Sequence, residues 1–168
     1  IIESYRTDLR GRYRYSDTNF LILRQIIENI TGLKLSAYVG GLFELLGMDN
    51  TGYNPLWWRV PQMVVPTEYD HMLQRGQILG YVHDDLAALN GGVEGNAGLF
   101  SNASDLSRFC EMLINDGMFR GERIISRATV RLFTSQPLTP KGIYRGLGFD
   151  MCKHDSELYP GFGHTGYT

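Results

Sequence analysis

Tyr15-Ser16-Asp17-Thr18-Asn19-Phe20-Leu21-Ile22-Leu23-Arg24-Gln25-Ile26-Ile27-Glu28-Asn29-Ile30-Thr31-Gly32 begins with a polar turn and ends on a glycine. Between them Leu21, Ile22, Ile26, Ile27 and Ile30 recur on a broad helical face, which predicts a helix from Asp17 to Thr31 stopped by Gly32. Working outward, Leu35, Tyr38, Val39, Leu42, Phe43 and Leu46 predict a second helix over Leu35 to Leu46, ended by Gly47. Gly40 and Gly41 each weaken it by about 1 kcal/mol relative to alanine, so packing must hold it. From there to Pro66, Gly52, Pro55, Pro61 and the pair Trp57-Trp58 read as a long loop anchored by aromatic rings.

Further along, a short polar helix is expected between Glu68 and Gln77. The run Gly91-Gly92-Val93-Glu94-Gly95-Asn96-Ala97-Gly98, with four glycines in eight residues, must be a turn-rich loop. A helix starts between Ser101 and Ser104, sets Leu106, Phe109, Cys110 and Leu113 on one face, and stops at Gly117. Ser126 caps one more helix through Phe133, after which Pro137 and Pro140 break the chain. Then the period changes: Leu147, Phe149 and Met151 alternate with Gly146, Gly148 and Asp150 as in a half-buried strand, with Phe162 to Tyr167 as its neighbour across Pro160 and Gly161. Helices first and a small antiparallel sheet near the end define an α+β fold.

A chain of 168 residues, 43% hydrophobic, is one domain's worth and can bury a core. Sixteen basic and eighteen acidic residues leave a net charge of -2, which offers no field of one sign to grip nucleic acid or an anionic membrane. No apolar run approaches the roughly 18 residues of a membrane span. The opening Ile-Ile-Glu-Ser-Tyr-Arg has neither an initiator methionine nor a signal-peptide pattern, and Gly163 to Thr168 stop without a polar tail, so residues 1–168 are expected to be a partial domain truncated at both ends. Cys110 and Cys152 match no zinc or redox spacing and read as ordinary thiols.

Two elements carry candidate chemistry. Tyr15 precedes the first helix, at the positive end of its dipole, a place that favours a phenolate. Tyrosine titrates near 10, so service as a base at neutral pH requires a cationic neighbour; the plainer alternative is a packed ring with Asp17 as the helix cap. His164-Thr165-Gly166 puts a titratable ring, a hydroxyl and a glycine on the last predicted strand, where they could hold a carboxylate and let a ligand approach the backbone. Asn96 sits in the glycine loop, either facing a cleft or bracing the loop.

Other patterns fail their context. Gly161-Phe162-Gly163-His164-Thr165-Gly166 has the spacing of a dinucleotide fingerprint but opens no helix and lies in no βαβ unit. The glycine loop at 91–98 lacks the Lys-Ser or Lys-Thr of a phosphate loop. His83-Asp84-Asp85 diverge as consecutive side chains and have no second histidine at chelating spacing, so His83 and Asp84 read as loop hydrogen-bonders that brace the site, and no metal or other cofactor is expected.

Taken jointly, these motifs resemble the family of penicillin-binding proteins, class C β-lactamases and related esterases. Tyr15-Ser16-Asp17 leading into Leu23-Arg24-Gln25-Ile26-Ile27-Glu28, Thr31-Gly32 and Leu45-Leu46-Gly47-Met48-Asp49-Asn50-Thr51 resembles the segment that follows the family's Tyr-x-Asn motif. Gly80-Tyr81-Val82-His83-Asp84-Asp85, the run Gly91 to Ser101, and Gly163-His164-Thr165-Gly166-Tyr167 are similar to later family runs, in the same order. The resemblance implies that the chain holds mainly the helical lobe of a β-lactamase-like fold plus part of its sheet. It makes Tyr15 and His164 catalytic, with Tyr15 as general base and His164 in place of the usual lysine, which would make activity change between about pH 5 and 8. Asp17, Thr165, Gly166, Tyr167 and Asn96 are the implied substrate contacts, the Tyr167 N–H supplying half of an oxyanion hole. Asp17 stands where the family usually has asparagine; an ionised carboxylate only accepts, so that contact is altered, and Asp17 would then act mainly as the helix cap.

The family's nucleophile lies in a Ser-x-x-Lys motif. Three positions before Lys34, Lys141 and Lys153 stand Thr31, Leu138 and Asp150, so no such serine occurs here. In the family the motif precedes the tyrosine, so the serine is expected upstream and this segment alone is expected to be inactive. The implied parent is a serine hydrolase of the bacterial periplasm or cell envelope that transfers the acyl group of a β-lactam, a D-alanyl peptide or an ester through a serine acyl-enzyme. The alternative is a non-catalytic cell-wall-binding module, joined in some relatives to a β-N-acetylglucosaminidase.

Overall fold

The computed structural model describes residues 15–135, 144–151, 161–164 and 166. They belong to two compact units: one spans Asp17–Ile124, the other combines the chain up to Ser16 with Ile125 onward.

In the larger unit, α1 (Thr18–Thr31) closes on Gly32 at φ 69°, whose N–H donates to the Glu28 carbonyl at 2.9 Å. α2 (Leu35–Leu46) matches the predicted helix and closes on Gly47 at φ 64°. Its cap position is Lys34, which has no acceptor, so the duty passes to α1: the Glu28 carboxylate accepts from the Leu35 N–H at 3.0 Å. That bond, together with Arg24 and Lys34, holds the Glu28 carboxyl below the usual glutamate range against the opposing effect of burial. Leu35 and Leu46 are buried, whereas α1 buries no residue and leaves Ile22, Ile26 and Ile30 exposed. The α1 periodicity is therefore a true helix signal, but its apolar face is uncovered.

The loop after α2 is held as expected by an aromatic anchor. Trp58 donates its indole N–H to the Tyr53 carbonyl at 2.9 Å and lays its ring against Gly52. β1 (Gly52–Tyr53) pairs antiparallel with β4 (Leu99–Phe100), Gly52 opposite Phe100, with short 3-10 turns at Pro55–Trp57 and Pro61–Met63 between.

The polar helix expected between Glu68 and Gln77 is instead an antiparallel hairpin of β2 (Pro66–Asp70) and β3 (Gly76–Leu79). Turn chemistry overrides weak helical spacing: Asp70 Oδ1 accepts from the Met72 and Leu73 N–H groups at 2.8 and 2.9 Å, and Gln74 and Gly76 take positive φ. Arg75 then bonds the Asp70 carboxylate and donates to the carbonyls of Val82 and His83, which ties the hairpin to the following loop. Arg75 and the two backbone donors keep the Asp70 carboxyl below its ordinary value, although burial opposes them.

Asp84 is no loop hydrogen-bonder but the cap of α3 (Asp85–Leu89), accepting from the Ala87 N–H at 2.7 Å. α4 (Ala103–Ile114) starts at Asn102, which accepts from the Asp105 N–H. Its buried face differs from the expected one: Asp105 and Met112 are wholly buried, while Leu106 and Cys110 are exposed. A polar anchor sets this rotation, since the Asp105 carboxylate takes the Asn50 N–H at 2.7 Å and the Thr51 hydroxyl at 3.0 Å. A two-residue hairpin, β5 (Met118–Phe119) and β6 (Glu122–Arg123), follows.

The smaller unit contains α5 (Arg127–Thr134), capped by Ser126 as predicted, with Val130 buried. β7 (Asp150–Met151) and β8 (Phe162–Gly163) pair antiparallel, Asp150 opposite Gly163. The strand expected over Leu147–Met151 is shorter than its alternation suggested. Leu147 to Phe149 form a bend around Gly148 at φ 94°, closed by the Gly146 N–H donating to the Phe149 carbonyl at 2.7 Å. Phe149 and Phe162 pack edge to face at 5.0 Å, and Gly146 abuts the Phe133 carbonyl at the end of α5. Five helices and four two-stranded antiparallel sheets among the described residues make the fold α+β.

Candidate active site

Tyr15 and His164 both belong to the smaller unit. Their rings face each other with centroids 6.1 Å apart and planes tilted by 41°, although 149 positions separate them in the chain. Each is exposed, Tyr15 at 44%, so neither ring is consumed by a core. That exposure argues against the packed-staple alternative for Tyr15. His164 lies one residue beyond β8, not within it, because the ladder with β7 spans only two residue pairs.

Asp17 occupies the N-cap position of α1, but its side chain makes no capping hydrogen bond. The expected cap role is thus corrected: Asp17 has helical φ and ψ of -75° and -23°, not the extended backbone of a capping residue, and only its carbonyl serves the helix, accepting from Phe20 and Leu21. Gly166 is exposed, with open space where a Cβ would stand. Thr165 and Tyr167, and with them the proposed oxyanion N–H, lie outside the described residues, as does Cys152.

Asn96 is in the larger unit, where its Oδ1 is buried without a hydrogen-bond partner. His83 Nδ1 is in the same condition, and the residue serves the Arg75 clamp only through its carbonyl. A groove of about 600 Å³ in this unit, lined by Phe43, Met48, Tyr53, Trp57, Trp58 and Arg59 among others, contains none of the candidate catalytic or substrate-contact residues.

Sequence reasoning passed over Glu94. It is 2% exposed at the centre of the glycine loop and pairs with Arg24 of α1, while its carbonyl accepts from the Tyr53 hydroxyl at 3.0 Å. Burial, reinforced by the Glu94 charge, pushes the Tyr53 phenol up to about 12. The available signal was a lone carboxylate among glycines, a residue type seldom buried unless paired.

Comparison with known proteins places the chain in a family. The model of the family described as Beta-lactamase matches residues 6–168. The chain belongs to that family. Among curated relatives, a protein named "Putative D-alanyl-D-alanine carboxypeptidase" from Escherichia coli O157:H7 is 31% identical over 94% of this chain and 41% of its own length. One of the same name from Salmonella gallinarum is 32% identical over 95% of this chain and 41% of its own. The chain thus spans about two-fifths of the length of these relatives. A penicillin-binding protein homologue from Pyrococcus abyssi, described as octameric, shares the fold with a TM-score of 0.58 at 20% identity, covering 84% of this chain and 30% of that one. None of the described helices is long and apolar enough to cross a membrane.

Proposed function

We propose that the chain is the base-bearing part of a serine hydrolase of the cell envelope that removes the terminal residue from D-alanyl-D-alanine peptides. The observation that carries the reading is the approach of the Tyr15 and His164 rings to 6.1 Å. The names of the curated relatives support the choice of substrate.

In this reading a serine supplied by the chain upstream of Tyr15 attacks the carbonyl carbon of the last peptide bond, and the Tyr15 phenolate takes the serine proton. The carbon–nitrogen bond breaks, D-alanine leaves with the proton that Tyr15 returns, and an ester to serine remains. Water then attacks that ester, again losing its proton to Tyr15, and the serine is released protonated. The His164 ring and the Thr165 hydroxyl are assigned to the substrate carboxylate. The family resemblance assigns the Tyr167 N–H to the developing oxyanion, and the open space at Gly166 leaves room for the peptide backbone.

The test is release of D-alanine from a D-alanyl-D-alanine-terminated peptide by the chain together with its native upstream sequence. Tyr15→Phe should lower kcat by about 10²–10⁴-fold, the usual worth of a general base. An unchanged kcat would remove Tyr15 from the mechanism. Peptide binding without release in the unsubstituted protein would favour the non-catalytic binding module instead.

A further inference from the structure

Within the Asp17–Ile124 unit, α2 and the loop that follows it enclose the groove of about 600 Å³. Small-molecule sites commonly measure roughly 300–1,000 Å³, so the space suits one modest ligand. Ser36, Ala37, Gly40, Phe43 and Glu44 recur at helical spacing on the α2 side. Gly40 sets the depth of that side. No packing contact demands a glycine there, since nothing lies within 4 Å of where its Cβ would stand. In a helix it costs about 1 kcal/mol relative to alanine, and what it provides in return is open space.

The loop side is fixed by polar groups that are already spent. Trp58 donates to the Tyr53 carbonyl at 2.9 Å, and the Tyr53 hydroxyl donates to the Glu94 carbonyl at 3.0 Å. Arg59 lies over the Trp58 ring at 4.7 Å and gives its donors to the carbonyls of Asp49 and Trp58 and to Asn50 Oδ1. Two kinds of group remain for a ligand. Trp57 is 82% exposed, an unusual position for an indole, which is mostly buried in folded chains. The carboxylates of Glu44 and Asp49 have no hydrogen-bond or ion-pair partner among the described residues, so the lining sets two unpaired anionic groups against one guanidinium already engaged. Aromatic faces and free carboxylates both attract a cation. An anion is repelled, and a neutral apolar molecule leaves the carboxylates unanswered.

We propose that this groove binds a small organic ammonium ion, its alkylated head against the Trp57 ring and its charge shared by Glu44 and Asp49. The site uses no residue assigned to catalysis, so its test does not depend on turnover. The probe is choline, with 3,3-dimethylbutan-1-ol as its uncharged isostere, added to 5-fluorotryptophan-labelled chain carrying its native upstream sequence. The Trp57 fluorine NMR signal is identified by its loss in Trp57→Phe. Choline should shift that signal saturably, and the isostere should bind about tenfold more weakly or worse, the worth of a cation–π contact with a carboxylate nearby. Glu44→Gln and Asp49→Asn should each weaken choline about threefold, and added salt should weaken it further. Gly40→Leu fills the groove and should abolish the shift without lowering the melting temperature, whereas Gly41→Ala, on the same helix but outside the lining, should retain it.

A Trp57 signal that choline leaves unmoved, or that choline and the isostere move equally, would overturn the proposal. So would undiminished choline binding in folded Gly40→Leu, since that would put the cation elsewhere. If Gly40→Leu fails to fold, Trp57→Ala, at an exposed position, should lose choline binding by calorimetry, and retained binding there overturns the idea equally.

Discussion

At the scale of single residues, contacts with backbone decide what can be substituted. Gly95→Ala drives a methyl into the Phe20 carbonyl oxygen, so it should destabilise the protein by about 1–3 kcal/mol in urea unfolding. Gly41 is the contrast. It lies inside α2 with open space around its absent Cβ, so Gly41→Ala should raise stability by about 0.5–1 kcal/mol. Opposite signs for two glycine-to-alanine changes test the packing of the glycine loop directly. Asp105→Ala should cost about 3 kcal/mol, because it strands the Asn50 N–H and leaves Arg108 without its partner. At this scale the sequence showed residue types but not partners: Tyr15 and His164 were legible as candidates, whereas Glu94 and Asp105 were not, since a buried carboxylate is visible only through the donors that surround it.

Among the elements, caps and stops were the most legible features. Gly32, Gly47, Asn102 and Ser126 all bound helices near where side-chain chemistry placed them, because capping is a local interaction. Errors arose where a side chain organised the backbone at short range against its hydrophobic pattern. Asp70 turns the chain into a hairpin, and Gly148 makes a bend out of an alternating run. The cap of α2 escaped notice because Glu28 provides it from another helix.

That cross-helix cap has a pH signature. The folded-state pKa values of Glu28 and Asp70 lie below their ordinary values of 4.5 and 3.8, so the unfolded chain binds more protons in the interval between. The stability they provide is complete above about pH 4.5 and is lost as pH falls through their lower folded values. Thermal unfolding should therefore show a melting temperature that declines below that pH, with a shallower decline in Glu28→Gln. Identical slopes for the two proteins would remove Glu28 from this role.

For the molecule as a whole, the class of fold was legible because α1, α2, α4 and α5 are each marked by period and punctuation. The extent of burial was not. Ile22, Ile26 and Ile30 carry the pattern of a packed face yet remain exposed, and a chain spanning 41% of its relatives' length contains only part of what those proteins fold. The family was legible from the order of its motifs, and the match over residues 6–168 places the chain in it. Of the candidate site, the sequence supplied residue types, and the structure adds that the Tyr15 and His164 rings lie 6.1 Å apart.

Labelling with a fluorescent penicillin, which acylates an activated serine, tests the central claim most directly. The chain with its native upstream sequence should become covalently fluorescent, Tyr15→Phe should abolish the label at equal protein concentration, and the 168-residue segment alone should remain dark. Label retained at full intensity in Tyr15→Phe, or label on the isolated segment, would contradict the account.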